Sequence, residues 1–223
     1  MKILRKAYAL IYPDRCPYCE ALIEPCEIAC SKCLDEIKRK HTPIRCGALG
    51  YRCVASFVYD GKVRRMILRL KYHQRIQFVN QINAILIRDI KDVYGEDAFD
   101  LVTCVPMHKD DRKKREYNQS KLLAVSLSKM LGVPYLDTLE KVKNTKKQHL
   151  LKYAERKTNL AGAFELINKE AIRDKRILIV DDIITSGNTL GKCCKVLSRS
   201  KPELICCAAI ASARDKYPES TVI

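Results

Sequence analysis

The 223-residue chain has no tryptophan, and aromatic residues make up only 7% of it. That scarcity argues against a surface that binds nucleic-acid bases chiefly by stacking them on rings. Long apolar runs are missing too. No stretch approaches the roughly 20 apolar residues needed to cross a bilayer, and the opening segment Met1 to Ile11 is broken by Lys2, Arg5 and Lys6. A membrane-spanning or exported chain is therefore not expected, and a cytoplasmic one is. The same opening residues set Ile3, Leu4, Ala7 and Leu10 at helical spacing and predict a short amphipathic helix. Acid is in short supply: 26 Asp and Glu stand against 42 Lys and Arg, a formal charge of +16. Such an excess favours polyanionic partners, single-stranded DNA among them, although each basic run can equally be a solvated face. The excess gathers in three stretches, Lys62 to Arg75, Lys109 to Arg115 and Lys141 to Lys157.

Cysteine, by contrast, is abundant, with 12 residues distributed unevenly. Without an export signal, they read as metal ligands and buried thiols before disulfides. Cys16-Pro17-Tyr18-Cys19 and Cys30-Ser31-Lys32-Cys33 form two CxxC knuckles ten residues apart, a spacing that lets four thiolates close a tetrahedron around a structural Zn²⁺. A redox CxxC would not need the second pair. Ligation would also supply the folding free energy that a segment of about fifty residues with few large apolar side chains cannot. Cys26 lies between the knuckles as a spare; Cys46 and Cys53, helped by His41, are the material for a less favoured second site. Cys104, Cys193, Cys194, Cys206 and Cys207 sit in apolar patterns and read as small core residues. The expected organisation is a zinc-binding module with its leading helix over 1–53, then one larger domain over 54–223.

The larger domain carries its clearest signal at Arg176 to Leu190. Ile177, Leu178, Ile179 and Val180 are a short apolar run, β-branched at three positions, which predicts a strand buried on both faces of a parallel sheet. Asp181 and Asp182 stand where that strand is expected to end, and Thr185, Ser186, Gly187, Asn188 and Thr189 follow. Glycine lets the backbone approach an anion, hydroxyls donate to it, and the amides opening a following helix point at it. An ordinary strand-to-helix connection capped by Thr or Asn would look similar. Upstream, Val54 to Tyr59 predicts a strand, Gly61 opens a basic helix with Val63, Met66, Ile67 and Leu70 on one face, and Ile76 to Ile90 predicts another helix. Asp100 to Pro106 predicts a second buried strand, followed by a charged loop from Met107 to Arg115 and a long helix from Tyr117-Asn118-Gln119 to Leu131. A charged loop at a strand end is well placed to meet a ligand.

The acid-and-glycine segment resembles the ribose-phosphate motif of the type I phosphoribosyltransferases, with Ser186 keeping a hydroxyl where that family often has Thr. The resemblance implies an α/β fold, a type I phosphoribosyltransferase-like parallel sheet flanked by helices behind the small zinc module. It implies that Asp181 and Asp182 hold the ribose hydroxyls of phosphoribosyl pyrophosphate (PRPP), and that Ile183 and the 185–189 loop complete the 5-phosphate cradle. Val105-Pro106-Met107-His108, Arg112, Arg115, Asn118 and Gln119 resemble the PVPxxxxRxxxRGFNQ segment of the ComF family, phosphoribosyltransferase-like proteins associated with DNA uptake. Lys71 falls at that family's LK dipeptide, and Gln148, Leu151, Arg156, Asn159 and Phe164 fit a further segment. Cys104 departs from the first proline, and Glu116 and Tyr117 depart from Gly-Phe.

By the same resemblance, Mg²⁺ accompanies PRPP, while Pro106, Met107, Arg112, Arg115, Lys71 and Arg156 face its pyrophosphate. Asp181, Asp182 and Arg115 would be catalytic, Gln148, Arg156 and Asn159 would belong to a lid over Lys141 to Phe164, and a competence-system helicase or ATPase would be a partner. Cations placed in this way would stabilise the charge that grows on a leaving pyrophosphate. Two function classes follow: transfer of ribose phosphate to a nucleobase or other acceptor, and a binding protein of DNA import with PRPP as its ligand.

Overall fold

The computed structural model describes residues 13–25, 27–41, 43–48, 50–72, 76–143 and 162–213. The expected leading helix, Cys26 and the lid residues Gln148, Arg156 and Asn159 lie outside the described residues.

Two nine-residue strands organise the molecule. Arg176–Ile184 (β6) and Leu204–Ser212 (β7) are buried along almost their whole length and pair in parallel, as a strand covered on both faces requires. Around them stand β1 (Ile44–Ala48), β2 (Tyr51–Val58) and β3 (Leu101–Cys104), giving the sheet order β1-β2-β7-β6-β3. Every pairing is parallel except β1 with β2, an antiparallel hairpin at one edge. Leu139–Lys141 (β4) and Phe164–Leu166 (β5) form a separate antiparallel pair.

Helices cover both faces. On one lie α2 (Gly61–Tyr72), α3 (Phe78–Tyr94) and α5 (Gln119–Leu131), and on the other α6 (Asn188–Leu197); α1 (Ser31–Lys40) belongs to the cysteine segment and α4 (Lys109–Arg115) leads into α5. The alternation of β6 decides who packs where: Leu178 and Val180 join Met66, Leu70, Leu86 and Leu123, whereas Ile177 and Ile179 join Leu190, Cys193, Cys194 and Leu197. Full burial of each such side chain contributes about 1.5–3 kcal/mol. The five later cysteines are buried in these two layers, as read from their apolar surroundings.

The structure alters three expectations. β6 does not stop at Val180 but continues through both acids to Ile184, because β7 offers a matching partner at Asp181↔Ala209, Ile183↔Ala211 and Ile184↔Ser212. The charged stretch after Pro106 is not a loop throughout. Lys109–Arg115 is helical, with the His108 side chain accepting from the Asp110 amide at 3.2 Å and Asp110 and Asp111 in the first turn, where acids suit the helix dipole. Position 53, where the sequence reading divides the chain, lies inside β2, and β1 already belongs to the central sheet. Cys16, Tyr18, Ala29 and Cys33 share one core with Phe57 and Met66, and the Tyr18 and Phe57 rings meet edge to face at 6.2 Å.

Candidate functional site

The first cysteine knuckle is a tight turn. Glu20 donates its amide to the Cys16 carbonyl, and Cys16 donates to Ala21, both at 2.8 Å, with Glu20 at φ 63°. Cys30 precedes α1 and Cys33 lies in its first turn, so a helix start presents the second pair. The four Sγ atoms all lie within 4.8 Å of one another, those of Cys19 and Cys30 at 3.6 Å. Sulfurs around a tetrahedral Zn²⁺ stand about 3.8 Å apart, so this donor set fits a structural zinc. Burial raises the thiols of Cys16 and Cys33, the latter to about 12, a protonation that metal ligation would reverse. Lys62 Nζ stands 3.7 Å from Cys33 Sγ, placing a cation beside what would be a dianionic centre. His41 is not turned to a second metal: its Nε2 lies 2.8 Å from Asp89 Oδ1. Among the described residues, no other group of Cys, His and carboxylates is gathered closely enough for one.

The acid pair on β6 meets partners from α2 and α5. Ser120 Oγ donates to Asp181 Oδ1 at 2.8 Å, and the Asp182 amide donates to the same oxygen at 2.9 Å. Lys71 Nζ, in the last turn of α2, lies 2.7 Å from Asp182 Oδ2, both side chains being largely buried. The two carboxylates are thereby unlike. Burial, and then the adjacent Asp182 charge, raise the Asp181 carboxyl to about 7 against the pull of Ser120 and Lys71.

Beyond the acids, the chain turns through Thr185, Ser186 and Gly187 into α6. Gly187 has φ 71°, a left-handed conformation that a side chain would strain, and the Asn188 amide donates to Ser186 Oγ at 3.4 Å. Residues 185–189 thus place the amides that open a ten-residue helix directly after the acid pair.

Facing this lies the 105–119 segment. Asn118 caps α5, accepting from the Ser120 amide at 3.1 Å, and its Nδ2 donates to the Val105 carbonyl at 3.0 Å. Tyr117 Oη donates to the Leu70 carbonyl and Gln119 Nε2 to that of Lys71, which ties this wall to the end of α2. The Arg115 guanidinium stands 5.1 Å over the Tyr72 ring and donates to its hydroxyl at 3.2 Å. Glu116 ends α4 at φ 65°, its amide donating to the Arg112 carbonyl at 2.8 Å. A left-handed helix end is where glycine fits without strain, which accounts physically for the glycine of the motif that Glu116 replaces.

Asp181, Asp182 and Lys71 are therefore brought together, with Ile183 and the 185–189 turn continuing from them. Pro106, Met107 and Arg112 instead line a neighbouring cavity of about 1050 Å³, together with Lys121, Asp137 and Lys141. Ser120 escapes sequence reading. A serine in the first turn of a helix carries no periodic signal, and its partner is 61 residues away.

Comparison with known proteins shows what the chain is similar to. A phosphoribosyl transferase domain model matches residues 118–222. Competence protein F of Haemophilus influenzae is 33% identical over 137 residues, covering 56% of this chain and 60% of that protein. DNA utilization protein YhgH of Escherichia coli is 26% identical over 189 residues, covering 83% of this chain and 78% of that protein. The match to competence protein F thus spans less than two thirds of that protein's length. The chain is thus similar to a competence protein and to a DNA utilization protein, its second half matches a phosphoribosyl transferase domain, and its helix-flanked, mostly parallel sheet is the α/β fold that the resemblance implies.

Solved structures superpose loosely. The xanthine-guanine-hypoxanthine phosphoribosyltransferase of Helicobacter pylori gives a TM-score of 0.41 at 17% identity, over 64% of this chain and 78% of that one. The adenine phosphoribosyltransferase of Saccharomyces cerevisiae gives 0.42 at 15% identity, over 80% and 87%. No described helix is long and apolar enough to cross a membrane.

Proposed function

We propose that the chain binds PRPP with Mg²⁺ and acts in the uptake and processing of transforming DNA, in the cytoplasm. The observation that carries the ligand assignment is the run from the acid pair through Gly187 into the start of α6. It offers carboxylates to sugar hydroxyls and, immediately beyond, amides and hydroxyls to a phosphate. Mg²⁺ would neutralise pyrophosphate oxygens in such a complex. Asp181 Oδ2 is free of the two bonds that end on Oδ1, and it accepts from a ribose hydroxyl. Lys71 leaves Asp182 as the ligand's hydroxyl takes its place, and turns its charge toward the pyrophosphate. Arg115, held over the Tyr72 ring next to Lys71, adds a cation on the same side. The competence names of the relatives and the charge of +16 support the role with DNA.

Calorimetry with PRPP and Mg²⁺ on the wild type and on Asp181→Ala/Asp182→Ala tests the assignment, run beside a salt titration of single-stranded DNA affinity. Binding heat is expected in the wild type alone. The absence of heat in both would overturn the ligand, and DNA affinity that does not fall with salt would overturn the electrostatic role in DNA binding.

A further inference from the structure

Asp181 is reached by a chain of hydrogen bonds that begins on the opposite wall. Asn118 Nδ2 donates to the Val105 carbonyl at 3.0 Å, Asn118 Oδ1 accepts the Ser120 amide at 3.1 Å, and Ser120 Oγ donates to Asp181 Oδ1 at 2.8 Å. Ser120 is only 6% exposed, so water competes little for its hydroxyl. With the Asp182 amide also on Oδ1 at 2.9 Å, the carboxylate has one oxygen saturated and its rotation fixed. We infer that Ser120 is a positioning residue, which holds the Asp181 carboxylate in register with the 105–107 segment so that Oδ2 is aimed at the ribose. The inference deepens the PRPP reading of the acid pair and rests on it.

The charged and titratable groups that act on Asp181 come from every neighbouring element: Asp182 beside it on β6, Lys71 on α2, Lys141 on β4, Cys104 on β3 and Cys193 on α6. The Ser120 hydroxyl opposes the burial that raises Asp181, because it stabilises the charged form. Removing it raises the titration midpoint further, and a ligand that needs the carboxylate then binds only at higher pH.

The test follows the Asp181 carboxyl carbon by NMR through a pH titration of the ligand-free protein, beside PRPP·Mg²⁺ calorimetry at several pH values, for the wild type, Ser120→Ala and Ser120→Thr. Ser120→Ala is expected to raise the midpoint by about half a unit or more and weaken PRPP about ten-fold at neutral pH. Ser120→Thr, which keeps the hydroxyl, should restore both and serves if the alanine variant folds poorly. An unmoved midpoint with unchanged affinity in Ser120→Ala would overturn the positioning role. A moved midpoint in a protein whose wild type binds no PRPP would support the link to Asp181 while overturning the PRPP reading.

Discussion

Lys71 Nζ lies 2.7 Å from Asp182 Oδ2, so the last turn of α2 places its ammonium against one member of the acid pair, while the other, Asp181, takes the Ser120 hydroxyl. Two residues earlier in α2, Arg69 donates to the carbonyls of Pro17 and Tyr18, both at 3.2 Å, and pairs with Glu20 at 3.0 Å. One helix therefore touches both the cysteine knuckle and the acid pair.

Removing Lys71 strands a buried carboxylate. Lys71→Met is expected to destabilise the fold by about 2–4 kcal/mol, and Lys71→Met/Asp182→Asn by distinctly less, because the uncompensated charge is then gone as well. Urea unfolding of the two single variants and the double variant checks this; additive losses would count against the pair.

Asp181 costs the ligand-free fold stability at neutral pH. Its folded value of about 7 lies above the ordinary 3.8. Its favourable contribution is therefore complete below pH 4 and lost as pH rises toward 7. Asp181→Asn should match the wild type near pH 4 and exceed it at pH 8 by roughly 2–4 kcal/mol, while losing PRPP. Chemical denaturation at the two pH values decides it.

Glu116 holds a left-handed backbone at φ 65°. Glu116→Gly relieves it and should raise stability by about 1 kcal/mol. The bond from residue 116 to the Arg112 carbonyl is made by the backbone, so it survives the exchange. A lower urea midpoint for the variant would contradict this account.

Metal loss should propagate into the main domain, because Cys16 and Cys33 share its core. Cys16→Ser is expected to abolish stoichiometric zinc, measured by mass spectrometry, and to lower the melting temperature by about ten degrees, on the order of 2.5–5 kcal/mol. An unchanged melting temperature in metal-free protein would refute a structural role.

Local features were legible without coordinates. The β6 run, the α5 helix and the two knuckles rest on period, spacing and side-chain type within one segment. The end of β6 was not legible, because its continuation through Asp181 and Asp182 depends on a partner strand more than twenty residues later. Nor was the antiparallel edge strand β1 visible as part of the main sheet, since among the described residues it pairs with β2 alone.

Spacing and residue chemistry alone determined that the chain carries a Cys₄ cluster fit to hold a metal, and an acid pair followed by a glycine turn behind a buried strand. Those requirements are met within a few consecutive residues, and any fold that keeps the strand keeps them. Which acid meets a lysine and which meets a hydroxyl was decided by packing. Lys71 and Ser120 reach the pair only because α2 and α5 cover the same face of the sheet. Burial there makes Coulomb and hydrogen-bond energies large enough to set the two carboxylates apart.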